Sequence, residues 1–122
     1  MTLIDGKILI DTPPTLITQL RKKGIKTSEI EHLLFTHWHA DHTFGFPFFM
    51  LERKYISDPM KEHDLKIYLR PGGKKKLSSL CNVGFPGSLE EIGDMAEWHE
   101  EEKLEILETN WNFERFAVCH TP

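Results

Sequence analysis

The sequence predicts a mixed, layered α/β fold. Segments of strand length alternate along the chain with segments of helical periodicity, the pattern that builds a sheet covered by helices. Gly and Pro punctuate the joints between them. A dense group of histidine and aspartate follows directly on one of the apolar runs, so the chemistry sits where a strand gives way to a loop. At 122 residues, the chain has the length of one domain with a small core.

Taken in order, residues 2–5 and 7–11 read as a hairpin turning at Asp5-Gly6, a dipeptide suited to a tight turn. Thr12-Pro13-Pro14-Thr15 is a loop that opens a helix over residues 15–23. Leu16, Ile17 and Leu20 form its apolar stripe and Gly24 is its stop. Thr27 or Ser28 caps a short helical turn reaching Glu31, and residues 32–36 form a buried strand. A helix follows from Phe44, with Pro47 in its first turn. Residues 56–64 read as a polar loop, 65–69 as a strand and 73–81 as a helix. Residues 82–87 are a Gly- and Pro-containing break, and Ser88 is placed to cap a helix over residues 89–95. Residues 98–103 are charged and expected to be exposed; residues 104–107 and 113–120 read as strands joined by a turn near Asn110. There is no internal repeat and no low-complexity tract.

Residues 36–42 read Thr-His-Trp-His-Ala-Asp-His. Imidazole and carboxylate are the ligands that zinc and similar divalent metals take. Grouped this tightly they crowd one another and gain little from packing, so a bound metal accounts for them better than fold stability does. In an extended segment His37 and His39 project to the same side and can share one metal. The chain must turn after Ala40, which places Asp41 and His42 for a second metal beside the first. Such a pair can clamp the attacking water and the leaving oxygen of a hydrolysed ester. The alternative is a solvated histidine-rich loop that binds metal adventitiously.

The pattern His37-x-His39-x-Asp41-His42 resembles the signature of the metallo-β-lactamase superfamily. Three further stretches resemble parts of that fold. Residues 3–11 look like its early hairpin, ending in the buried aspartate Asp11; residues 65–73 look like a strand and helix start of its ribonuclease Z-like and phosphodiesterase branches; residues 116–120 look like the later strand whose final histidine, His120, completes the first metal site. The resemblance implies an αββα sandwich, of which residues 1–122 would supply about half as one partial domain. It implies two divalent ions, Zn2+ first with Mn2+ or Fe2+ as alternatives, held by His37, His39 and His120 on one side and by Asp41 and His42 on the other. Asp41 is the implied catalytic residue, and Asp11 would orient the metal loop from behind.

Two further ligands of the family pattern, a bridging aspartate and a second-metal histidine, would follow His120, where only Thr121 and Pro122 stand. The chain therefore reads as the N-terminal portion of a metallohydrolase, with an initial strand also missing. The implied reaction is attack of a metal-activated water on a phosphodiester, in a small-molecule, nucleotide or RNA substrate. Thioester or lactone hydrolysis, as in other branches, stays open, because a fold does not select a substrate. A different class also stays open: a non-catalytic metal-binding remnant.

Composition narrows the setting. Hydrophobic residues make up 39% and charged residues 28%, with a formal net charge of −4. A mildly acidic chain argues against a general nucleic-acid binder. No apolar run is long enough to span a membrane and no signal peptide begins the chain, so a cytoplasmic setting is expected. Cys81 and Cys119 are expected to be reduced and buried. Arg21-Lys22-Lys23 and Lys74-Lys75-Lys76 read as solvated helix faces, with phosphate steering by residues 74–76 as the alternative. His32 reads as a structural histidine on its strand, His63 and His99 as solvated loop residues, and Trp38 as packing. Phe44, Phe46, Phe48 and Phe49 read as core, part of them lining a substrate mouth. An incomplete fold would leave some of this surface uncovered and favour homo-oligomers.

Overall fold

The structure is a computed structural model that describes residues 2–35, 40–89, 91–100, 103–105 and 112–114, the side chains of residues 40, 41, 103–105 and 112–114 lying outside that description. Strands β1 (Thr2–Ile4) and β2 (Ile8–Ile10) form the expected hairpin. Asp5 and Gly6 both take positive φ, 55° and 71°, and Lys7 N–H closes the turn on Ile4 O at 3.1 Å, the geometry that Asp-Gly accepts at low cost.

Helix α1 (Leu16–Lys22) leads to a 3₁₀ turn (Thr27–Glu29) and to β3 (His32–Leu34). Helices α2 (Ala40–Thr43) and α3 (Phe46–Glu52) follow, the latter continued by a π turn (Arg53–Ser57). Then come β4 (Lys66–Leu69), α4 (Gly73–Gly84), a 3₁₀ turn (Ile92–Asp94) and β5 (Glu97–Glu100). Strands β6 (Lys103–Glu105) and β7 (Asn112–Glu114) pair antiparallel in a separate two-stranded sheet.

The main sheet has five strands in the order β1-β2-β3-β4-β5, and β2 to β5 run parallel. Strand order follows chain order, so right-handed crossovers bring α1, α3 and α4 to one face. The core shows this directly. Leu9, Leu33, Ile67 and Trp98 stand in one row across the register and pack with Leu16 and Leu20 of α1, Phe46, Phe49 and Met50 of α3, and Leu77 and Cys81 of α4. Each helix contributes residues spaced by three or four, the stripe that an amphipathic helix buries. Ile8, Leu34 and Tyr68 form a second buried cluster on the opposite face, with Ile4 and Ile10 against it.

Several expectations need correction. Residues 56–64 are not all loop, because α3 runs on through a π turn to Ser57. Among the described residues of 89–95 the one helical element is a 3₁₀ turn, and Ser88 caps no helix there; its carbonyl accepts from Lys54 Nζ at 2.7 Å. The stretch from Trp98 is not an exposed charged run: its first residues form β5 in parallel register with β4. His99 is therefore not in a solvated loop; its ring stacks on Tyr68 at 5.2 Å and 17°. His32 is buried as expected, its Nδ1 3.0 Å from the Tyr68 hydroxyl. The phenylalanines divide, with Phe46 and Phe49 fully buried but Phe44 and Phe48 each 50% exposed. Cys81 is buried and unbridged, and burial pushes its thiol up from 9.0 to about 12. Cys119 and Trp38 lie outside the described residues. Among the described residues no helix is long and apolar enough to cross a membrane.

Candidate metal centre

Parallel strands direct their carboxyl ends to one edge of the sheet, and in open α/β sheets that edge is where ligands bind. Asp11 follows β2 there, and residues 36–42 follow β3. The backbone of Asp41 and the whole of His42 lie on α2. This short helix was not foreseen, but it supplies the turn expected after Ala40. The side chain of Asp41 and residues His37, His39 and His120 lie outside the described residues. Among the described residues no group of three or more His, Cys, Asp and Glu is gathered for a metal.

One predicted ligand is thus placed in full, and its surroundings are specific. His42 Nδ1 lies 2.9 Å from Asp11 Oδ2, with the imidazole partly exposed and the carboxylate largely covered. An ionised carboxylate only accepts, so Nδ1 carries the proton and donates. Metal-binding histidines are oriented this way, by a carboxylate on the far ring nitrogen. Asp11 reaches His42 from a left-handed backbone, φ +63°, which costs a non-glycine residue about 1–2 kcal/mol. Its own N–H continues the β2–β3 ladder to Leu34 O at 2.8 Å.

The residues beside this pair fix α2 in place. Thr12 is fully buried; its N–H donates to His42 O at 2.7 Å and its carbonyl accepts from Gly45 N at 2.8 Å. Gly45 is required for space, because a Cβ there would stand 2.1 Å from Pro13 O and 2.8 Å from Thr12 O. Thr12 and Gly45 were not singled out from sequence. The Pro-Pro pair after Thr12 and the glycine between two phenylalanines were visible, but nothing in the sequence says that these segments meet.

Phosphate steering by Lys74, Lys75 and Lys76 is not what the start of α4 provides. The amides there are taken: Gly72 N–H and Lys74 N–H donate to the Glu100 carboxylate at 3.1 and 2.9 Å. The three lysines are exposed, as a solvated helix face would be.

A hollow of about 290 Å³ lies at the opposite end of the strands, lined among others by Arg53, Asp58, Asp64 and Glu97. Its chief polar groups are already engaged. Arg53 Nη1 donates to Thr27 O at 2.7 Å and Ile30 O at 3.0 Å, and Nη2 to His63 O at 2.7 Å and Asp64 O at 3.1 Å. Asp58 accepts from the N–H groups of Glu62 and His63 at 2.8 and 3.1 Å. Desolvation lowers the Arg53 pKa from its ordinary value, and nearby Asp58 and Asp64 oppose that shift. This end of the sheet is built for structure.

Comparison with known proteins agrees with the geometry. In solved structures, 86% of the chain superposes on 37% of a new diphosphatase from the PhnP family, with a TM-score of 0.54 and 26% identity. It likewise superposes over 72% of its length on 32% of human tRNase Z, short form (ELAC1), with a TM-score of 0.53 and 22% identity. In sequence, it is 31% identical over 97 residues to the ribonuclease Z of Prochlorococcus marinus (strain MIT 9515) and 27% identical over 92 residues to that of Nanoarchaeum equitans (strain Kin4-M). These matches cover 72% and 71% of this chain but 30% and 28% of those relatives. The fold is thus a partial αββα fold of the ribonuclease Z branch of the metallo-β-lactamase superfamily. The chain belongs to the anti-Pycsar protein Apyc1 family, whose family model matches residues 1–122. The chain spans about a third of the length of the ribonuclease Z and PhnP-family relatives it matches.

Proposed function

We propose that this chain carries the metal-binding portion of a phosphodiester hydrolase with a dinuclear centre. The observation that carries the reading is the Asp11–His42 contact at 2.9 Å, which orients the imidazole through Nδ1 as carboxylates orient metal-binding histidines. Relatives named as ribonuclease Z and as a diphosphatase support a phosphoryl substrate over a thioester or lactone. Residues 1–122 are taken as one partial domain acting in the cytoplasm, on a nucleotide, RNA or small phosphodiester, and able to self-associate.

In this reading His37, His39 and His120 hold one ion, and Asp41 and His42 hold the other. Zn2+ suits the imidazole and carboxylate donors best, and Mn2+ or Fe2+ are also compatible. When bound, such ions supply Lewis acidity and bring the pKa of water toward neutrality. The protein's own part is positional. Asp41 orients the attacking water, and Asp11 fixes the tautomer and direction of His42.

The test is hydrolysis of bis(p-nitrophenyl) phosphate, a 3′,5′-cyclic nucleotide, a thioester and a lactone after addition of Zn2+ or Mn2+. Turnover of the phosphodiesters, abolished in His39→Ala, is the expected result. Turnover that survives His39→Ala, or that is confined to the thioester or lactone, would contradict the assignment.

A further inference from the structure

We propose that Thr12 is a positioning residue for the metal half-site of Asp41 and His42, a role that rests on the metal-dependent reading above. Helix α2 is a single turn, and the carbonyls at the end of a helix have no partners within it. Thr12 serves both of the last two. Its N–H donates to His42 O at 2.7 Å, and its Oγ1–H is within reach of His42 O at 3.2 Å and Thr43 O at 3.3 Å. Thr12 and Thr43 are both buried, so water does not replace this hydroxyl cheaply.

Backbone geometry makes the arrangement possible. Consecutive residues of a strand point to opposite faces. The left-handed φ of Asp11, +63°, ends that alternation, so the Asp11 carboxylate and the Thr12 hydroxyl both reach His42 or its neighbour. His42 is thereby held at two points, its ring by Asp11 and its carbonyl by Thr12. One contact alone would leave the ring free to rotate about the other. Gly45 closes the clamp, its N–H on Thr12 O at 2.8 Å and its lack of a side chain admitting the Pro13 carbonyl.

The experiment titrates the metal-free chain with Co2+, followed by visible absorption, in wild type, Thr12→Val, Thr12→Ala and Thr12→Ser, with the melting temperature of each metal-free protein. Valine keeps the shape and loses the hydroxyl; alanine loses the hydroxyl without adding a methyl; serine restores it. The expected result is Co2+ binding about tenfold weaker in the valine and alanine variants, with an altered visible spectrum, and wild-type behaviour in serine. A purely structural role would lower the melting temperatures and leave the Co2+ affinity and spectrum unchanged, which would overturn the proposal while the metal reading stands. Wild-type protein that takes up no Co2+ would overturn the metal reading first and this proposal with it.

Discussion

The two ends of the parallel strands treat buried polar groups in opposite ways. At the amino end, Arg53 directs all four terminal N–H groups of its guanidinium to the carbonyls of Thr27, Ile30, His63 and Asp64. Those carbonyls precede β3 and β4, so one cation ties together two strand entrances through its four terminal N–H groups. At the carboxyl end, Asp11 and Thr12 hold His42 by Nδ1 and by its carbonyl. A buried cation closed off by acceptors is structural, whereas an imidazole oriented from behind is what a metal site requires.

The comparison can be broken at either end. The largest expected effect on stability is at the amino end. Arg53→Met removes the guanidinium donor from four carbonyls, of which Thr27 O keeps the Ile30 N–H, and should destabilise the chain by roughly 3 kcal/mol, read from the urea midpoint. Metal affinity of the molecules that stay folded should not change. Gly45→Ala should come next, at about 1–3 kcal/mol, because the added Cβ meets backbone that cannot yield. Unlike the arginine change, it should also weaken metal binding, since it displaces Thr12 from α2.

Asp11→Asn should reverse the balance. Asparagine tolerates the left-handed φ and still accepts from Nδ1, so the change in stability should stay below about 1 kcal/mol. Metal affinity should fall about 10- to 100-fold, because a neutral acceptor supports the imidazole less well. Equal losses of stability and affinity would show that the two ends do not differ in kind.

The smallest effect belongs to Cys81, in the helix layer between them. With the folded thiol near pH 12 and an ordinary thiol near 9.0, its neutral form is the one the fold favours. That stabilisation is complete below about pH 9 and is lost as the pH rises toward 12. Iodoacetamide should therefore leave Cys81 unmodified at pH 8 and label it on unfolding, as peptide mapping would report.

Much of this was legible because it is local. The Asp5-Gly6 turn, the stripe of Leu16 and Leu20, and the apolar run ending at Phe35 each declare themselves within a few residues, and all are present. The motif around His42 was legible for the same reason, and Asp11 was expected behind it through the family resemblance. What was not legible depends on residues far apart in sequence. Nothing in the sequence singles out Arg53 before four carbonyls converge on it. Thr12 reads as a loop residue until α2 is placed beside it, 30 residues on. Ser88 and His99 were misread in the same way: a carbonyl meeting Lys54 and a ring meeting Tyr68 are properties of the packed sheet. Phe44 and Phe48 depart from the core reading because Phe44 stands before α3 and Phe48 lies on the exposed face of that helix, while Phe46 and Phe49 are buried.

Metal content decides whether residues 37–42 hold ions. The chain, purified without chelator and without an affinity-tag metal, would be measured by elemental analysis alongside His39→Ala. Two divalent ions per wild-type chain, with a clear loss in the variant, are expected. Wild-type chain that carries no metal, and takes up none from added Zn2+, would contradict the metal reading.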